Sequence, residues 1–309
     1  MKRLLIVLLA AIVVFTLFGC SFGETSEVSS PDDVNTKADN TVSTTQQGTS
    51  ATTKAETNTT PKTPETIAET VLVDEQGVKI TVKSLDKKGL FGPEIKILIE
   101  NNSGVDLTFD CDDSSVNGYM MSASLYSKVA NGKKANEKIT FLNSDLEDCG
   151  INTIADIEFS FHIYNSNTYK DYLNTSPIIL KTSAYDNYEY KFDDSGKVIY
   201  EGNDIKIVVK KLESDFMGQY LYYYIENNNK NDISLQSKSI SINGFMIDSL
   251  IVTNVKSGKH AVDKKIFLDS ELEENGIEKI NEICISFRIY DPNHYKTIDE
   301  TGEITISFN

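Results

Sequence analysis

Most of the chain is one segment written twice. Aligned on itself at an offset of 126, residues 99–178 match 225–304 at 32 of 80 positions without a gap. Ile99-Glu100-Asn101-Asn102 recurs as Ile225-Glu226-Asn227-Asn228, and Val116-Asn117-Gly118-Tyr119-Met120 as Ile242-Asn243-Gly244-Phe245-Met246. Ser160-Phe161 and Ile163-Tyr164 return as Ser286-Phe287 and Ile289-Tyr290. Upstream, Val78–Leu85 matches Ile205–Leu212 at an offset of 127, so one residue is gained or lost near 86–90. Solenoid units are much shorter than this period, so each copy is expected to carry its own core. The boundaries read as repeat one at 67–183, a semi-rigid, tyrosine-rich hinge at 184–190, and repeat two at 191–309.

Each copy checks the reading of the other. Val78-Lys79-Ile80-Thr81-Val82 alternates apolar and polar, as does Ile205-Lys206-Ile207, the pattern of a half-buried strand. Ile95, Ile97 and Ile99 form one face of the next strand, matched by Leu221, Tyr223 and Ile225. Asn117-Gly118 and Asn243-Gly244 lie between apolar residues, a strong hairpin signal. "NSDLEDCGI" and "DSELEENGI" predict a short helix with an N-cap at Asn143 or Asp269 and a glycine stop at Gly150 or Gly276. Ile157, Phe159, Phe161 and Ile163 alternate, as do Ile283, Ile285, Phe287 and Ile289. About seven short strands and one helical turn per copy predict an all-β chain of two tandem immunoglobulin-like β-sandwich domains. There is no Cys…Trp…Cys core, since the chain has no tryptophan, which excludes the antibody type.

The first 66 residues are of another kind. Lys2 and Arg3 precede an apolar run, Leu4–Phe18, and Gly19-Cys20 ends it, the arrangement of a secretory signal over residues 1–20. The alternative is an uncleaved N-terminal anchor helix, although the run is shorter than the ~20 residues of a membrane span. Residues 21–66 are rich in Thr, Ser, Asn and charge, with no apolar period. A segment like this cannot bury enough surface to offset its ordering entropy and reads as a disordered tether. Fully extended, it reaches about 150 Å, and as a coil about 40 Å.

The formal charge is −16, and removing Lys2 and Arg3 with the signal takes it to −18. A surface this acidic repels phosphate backbones, so nucleic acid is not an expected partner. Three scattered histidines leave little material for a metal site or for histidine catalysis, and no cofactor is expected. No nucleophile elbow, zinc-protease, CxxC or phosphate-loop pattern occurs, so the chain does not read as an enzyme.

The "LFGC" ending at Cys20 resembles the lipobox of bacterial lipoproteins. That resemblance implies diacylation of the Cys20 thiol and cleavage before it. The mature chain would then be held on the extracytoplasmic side of the cell membrane by its lipid. The lipobox, the Thr-rich tether and the repeated "IENN", "NGYM/NGFM" and "FSFHIY/ISFRIY" segments together resemble Firmicutes cell-surface lipoproteins with tandem immunoglobulin-like domains. The resemblance implies location and fold, and no activity.

Several residues are candidates for something more. Cys111 and Cys149 both lie in repeat one, and repeat two has Ser237 and Asn275 in their places. Loss of both together fits a disulfide confined to repeat one, and two free thiols are the alternative. Cys284 replaces Glu158 and reads as a bland, partly exposed thiol. Asp110, Asp112 and Asp113 resemble part of a calcium loop but lack its glycine and closing glutamate, so a solvated acidic loop is the default. Tyr220, Tyr222 and Tyr224 alternate with core positions and would line an outer sheet face. That face is a candidate platform for sugar or protein, and packing against the other repeat is the alternative. "YNSNTYK" and "YDPNHYK" hold Tyr164, Asn167 and Tyr169, and Tyr290, Asn293 and Tyr295, in register. His162, His260 and His294 do not correspond between copies, so none reads as a shared ligand. The expectation is a tethered binding protein whose partner is an envelope protein, a cell-wall glycan or a host surface. The rivals are a passive structural or regulatory envelope component and an enzyme accessory module.

Overall fold

The computed structural model describes residues 65–308, so the signal, Cys20 and the tether up to residue 64 lie outside the described residues. Repeat one contains β1 (Thr70–Glu75), β2 (Val78–Asp86), β3 (Glu94–Asn101), β4 (Leu107–Val116), β5 (Tyr119–Met120), β6 (Ala123–Ser124), β7 (Tyr126–Val129), β8 (Lys133–Phe141), α1 (Asn143–Asp148), β9 (Asp156–Asn165), β10 (Asp171–Asn174) and β11 (Ile178–Lys181). A 3-10 turn, Tyr185–Asn187, follows. Repeat two contains β12 (Lys197–Gly202), β13 (Ile205–Ser214), β14 (Gly218–Asn227), β15 (Ile233–Ile242), β16 (Phe245–Met246), β17 (Val252–Val255), β18 (Lys259–Leu268), α2 (Asp269–Glu274), β19 (Glu282–Asp291), β20 (Lys296–Glu300) and β21 (Ile304–Ser307). The fold is all-β and sandwich-like, with one short helix in each copy.

Three sheets make two sandwiches, because the middle sheet is shared. The first runs β1-β2-β3-β8-β6, the third β16-β15-β19-β20 with β17 beside β15 and β21 beside β19, and the ten-stranded middle one β10-β9-β4-β5-β18-β14-β13-β12 with β11 beside β9 and β7 beside β4. The β9–β4 half of the middle sheet closes on the first sheet around Ile80, Ile97, Phe109, Phe159 and Phe161. The β18–β14 half closes on the third sheet around Ile207, Leu221, Tyr223, Ile285 and Phe267. Alternation explains both cores. In β9 and β19 every second residue is buried, so one side faces the core and the other faces out.

The hairpin glycines behave as their turn requires. Asn117 and Gly118 have φ of 50° and 82°, and Asn243 and Gly244 have 50° and 86°. Two successive positive values are the primed turn whose twist suits paired strands. Each helix stops in the same way. Gly150 N–H donates to Glu147 O at 2.9 Å and Ile151 N–H to Leu146 O at 2.8 Å, with Gly150 at φ 66°. Gly276 and Ile277 repeat both bonds in α2. The N-terminus departs from expectation. Leu142 and Leu268 occupy the N-cap positions, and no side chain caps either helix. Asn143 N–H instead donates to Phe91 O at 2.9 Å, and Asp269 N–H to Met217 O at 3.2 Å. A neighbouring loop carbonyl thus takes the first amide of each helix, one of the donors that a helix start leaves without an intrahelical partner.

The two repeats meet in a packed joint, a weld of one sheet onto the other. β5 adjoins β18 in parallel through Tyr119 and His260, and His260 N–H donates to Gly118 O at 3.0 Å. Around that bridge Tyr119, Val208 and Tyr224 form a separate small core with Met121, Cys149, Phe192 and Val262. Phe192 lies on the His260 ring at 3.5 Å and 21°. Three ion pairs cross the joint: Lys256–Asp113 at 2.7 Å, Lys259–Glu158 at 2.6 Å and Lys264–Asp148 at 2.8 Å. The linking segment is itself fastened, since Tyr190 donates its hydroxyl to Asp156.

Candidate functional site

The outer face of the middle sheet in repeat one is built by strand parity. With Leu107, Phe109, Phe161 and Ile163 turned into the core, their neighbours Asp110, His162 and Tyr164 are turned out. Register then sets the rows. Thr108 is opposite Tyr164 on one side and Lys128 on the other, and Asp110 is opposite His162 and Tyr126. Asp171 of β10 is opposite Tyr164.

The rings on this face adjoin one another. His162 and Tyr164 have centroids 5.1 Å apart, and Tyr169 stacks on Tyr164 at 6.2 Å and 26°. Tyr169 is 73% exposed and Tyr126 62%, so ring area is open to solvent. Lys128 Nζ lies 5.9 Å from the Tyr126 ring. His162 Nε2 is 2.9 Å from Asp171 Oδ1, a partner that holds the Asp171 carboxyl below its ordinary range. Burial, then the neighbouring Asp112, pushes the Asp110 carboxyl up. Tyr169 sits at φ 57°, a left-handed conformation that is costly for a bulky residue. Asn165 sustains it, its Oδ1 accepting from the Asn167 and Thr168 amides at 2.9 Å.

Repeat two carries the same pair in a different charge setting. Tyr295 stacks on Tyr290 at 6.4 Å and 15°, with φ 54° and 76% exposure. Arg288 lies over Tyr290 at 4.7 Å, in the place of His162. Gln236, Lys238 and Thr297 replace Asp110, Asp112 and Asp171, and the acid on this face is Glu300, opposite Arg288 and paired with Lys238. Asn167 and Asn293, shared by both loops, are both exposed.

The tyrosines of β14 divide. Leu221, Tyr223 and Ile225 face the core, and parity does place Tyr220, Tyr222 and Tyr224 on the other side. Tyr224, however, is 1% exposed, so the three tyrosines do not form one open platform. That face of repeat two abuts repeat one, and Tyr224 closes the joint with its hydroxyl 2.6 Å from His260 Nδ1. Tyr222 lies between Lys211 at 4.5 Å and Lys264 at 5.4 Å, and Tyr220 is half-buried beside it.

Cys111 and Cys149 are free thiols lining one cleft of about 430 Å³ between the repeats, with Asp112, Asp148, Asp263 and Lys264. Burial first, and then neighbouring aspartates, pushes each thiol up to about 12. Thiolate is the reactive form, so both should resist alkylation in the native protein at pH 7.5 and react fully in denaturant. Mass spectrometry of the two reactions checks this, and full labelling of either thiol in the native state would refute it. Cys284 is half-buried near Thr305 and Glu282. Asp113 has left the acidic cluster for the joint. The β4 bulge between Asp112 and Ser115 turns it to φ 52° and onto Lys256. Among the described residues no three His, Cys, Asp or Glu side chains are grouped to hold a metal ion.

Tyr126, Phe192 and His260 are the residues that single-strand reasoning missed. The signal lay in differences between the copies. Tyr126 faces Val252, His260 faces Lys134 and Tyr224 faces Leu98 across the alignment. An aromatic found in only one of two copies marks a surface with work that the other copy does not share.

No family model matches the chain, and no curated protein does. Among solved structures, the crystal structure of the Pseudomonas aeruginosa CupB2 chaperone is similar over 69% of this chain and 90% of that one, at 12% identity and a TM-score of 0.18. An overlap that low carries no argument about what this chain binds.

Proposed function

We propose that this chain is a non-catalytic, extracytoplasmic binding protein, anchored in the membrane through lipid on Cys20, that holds a cell-wall glycan on the aromatic face of repeat one. The observation that carries the reading is the Tyr164–Tyr169 stack, with Tyr169 held open to solvent in a costly backbone conformation. Flat exposed rings suit the C–H faces of sugars, and Asp110, Asp171 and Lys128 beside them suit hydroxyl groups. The acidic chain disfavours a polyphosphate, so the contact is with the uncharged sugar backbone of the wall.

Sedimentation of the chain with purified peptidoglycan tests this. Tyr169→Ala should weaken retention about tenfold, the size of one lost aromatic contact. Tyr222→Ala, away from that face, should leave retention unchanged. No retention of the intact chain, or equal loss from both substitutions, would overturn the glycan reading in favour of a protein partner. Lipidation is read separately, from the mass of membrane-extracted chain and its release by Cys20→Ser.

A further inference from the structure

Each repeat ends in an exposed apolar knob that neither core uses. In repeat one Leu90 is 84% exposed, Phe91 63% and Leu142 43%. In repeat two Phe216 is 90% exposed, Met217 47% and Leu268 43%. These are equivalent positions at the offset of 126, although the loop before them differs in length between the copies. The loop is held firmly. Gly92 and Gly218 lie so close to Phe141 O and Phe267 O that a Cβ would run into the carbonyl. The N-terminus of each helix bonds the loop carbonyl just before that glycine. The knob is therefore a fixed convex feature.

In repeat one, the knob lies where the chain enters the fold. Glu65, the first described residue, places its carboxylate 2.7 Å from Lys87 Nζ. Lys87 is three residues before Leu90, at most about 11 Å along the chain. Sequence upstream of Glu65 leads back to Cys20. If Cys20 is lipid-anchored, the end of repeat one that presents Leu90 and Phe91 is the end nearest its attachment. We infer that the Leu90–Phe91–Leu142 knob dips into the surface of the bilayer to which the chain is tethered. This rests on the anchoring proposed above, and it adds a second, side-chain contact with lipid.

Three apolar side chains would hold a free protein on a membrane only weakly. A tether changes that, because it makes the contact intramolecular and raises the effective concentration of lipid at the knob. A convex knob also suits a fluid surface, which moulds around it. Lys87 and Lys88 flank this knob, whereas Glu213 and Asp215 flank the one in repeat two. The inference is therefore confined to repeat one, and repeat two is its internal control.

The chain has no tryptophan, so Phe91→Trp and Phe216→Trp each create a single reporter. Each full chain is placed on phosphatidylglycerol–phosphatidylcholine vesicles with brominated acyl chains. One arm uses the lipidated chain from membranes. The other uses a chain beginning at Ser21, held by an N-terminal hexahistidine to nickel-chelating lipid. Tryptophan at 91 should be quenched about twofold or more in both arms, and tryptophan at 216 should not be. Leu90→Asp added to Phe91→Trp should abolish the quenching. Quenching at 91 no greater than at 216 in the nickel arm would overturn the inference and leave the knob to a protein partner. If only the lipidated arm fails to stay with vesicles, while 91 is quenched in the nickel arm, the Cys20 reading fails and the knob inference stands.

Discussion

Replacing Asn227 by leucine should destabilise the protein by about 3–4 kcal/mol, and Asn101→Leu by as much, while Asn228→Leu and Asn102→Leu should shift it by less than about 0.5 kcal/mol. The contrast lies within one repeated dipeptide. Asn101 and Asn227 are fully buried, and their neighbours Asn102 and Asn228 are exposed. Asn227 donates from Nδ2 to Asn231 O at 3.0 Å and Val255 O at 2.9 Å, and accepts from the Asn229 amide at 3.0 Å. Asn101 does the same with Val105 O, Val129 O and the Ser103 amide. Each side chain thus pins a loop onto the end of a neighbouring strand. Leucine fills the space but orphans two carbonyls and an amide, and each buried orphan costs about 1–3 kcal/mol. Urea denaturation of the four variants checks this. Equal effects at buried and exposed positions would refute the assignment.

Acid should loosen the joint between the repeats. His260 is 7% exposed, its ring packed on Phe192 and its Nδ1 bonded to Tyr224. Burial holds its pKa below the ordinary value; Glu226 opposes that shift and Lys259 adds to it. Tyr119 also faces the ring, with the Asp193 amide on its hydroxyl. A base whose pKa is lowered by folding is charged more readily when the joint is open. The stability it contributes is complete above the unfolded value of about 6.5 and is lost as pH falls towards the folded value, at about 1.4 kcal/mol per unit. His260→Phe keeps a flat ring and removes the proton site. Unfolding free energies at pH 7 and pH 5 should therefore differ less in this variant than in the wild type. An unchanged difference would refute the role. Asp171 and Asp291, held down by His162 and His294, lose their contribution at lower pH, in the carboxylate range, outside this window.

Much of this architecture can be read from residues because the physics is local. Alternation in Ile157–Ile163 and Ile283–Ile289 fixes which side faces the core, and Asn-Gly fixes the hairpins. Gly150 and Gly276 stop their helices by a bond pattern that needs only the next two residues. What could not be read depends on contacts between distant segments. Parity turned Tyr224 outwards correctly, yet could not reveal that repeat one lies there. Asn143 looked like a cap, but it is the first helical residue, and its amide is taken by Phe91 O, 52 residues earlier in the chain. Asp113 left its acidic neighbours because a bulge turned it towards Lys256, and no local pattern announces a bulge. Tyr126 stands where the other copy has Val252, so matches between the copies passed over it and only their difference marks it.

The weld joins unlike surfaces: the β5 hairpin of repeat one meets the β18 edge of repeat two. Such head-to-tail contacts have a direction and do not close by symmetry. Repeat two keeps the hairpin half of the contact in the open, with Phe245 48% and Met246 67% exposed. Repeat one has lost the receiving half, because Lys134, Leu98 and Thr81 stand where repeat two has His260, Tyr224 and Val208. Two copies of the chain therefore cannot stack by reusing this contact. The duplication has thereby acquired a direction, set by the substitution of a few side chains on one copy.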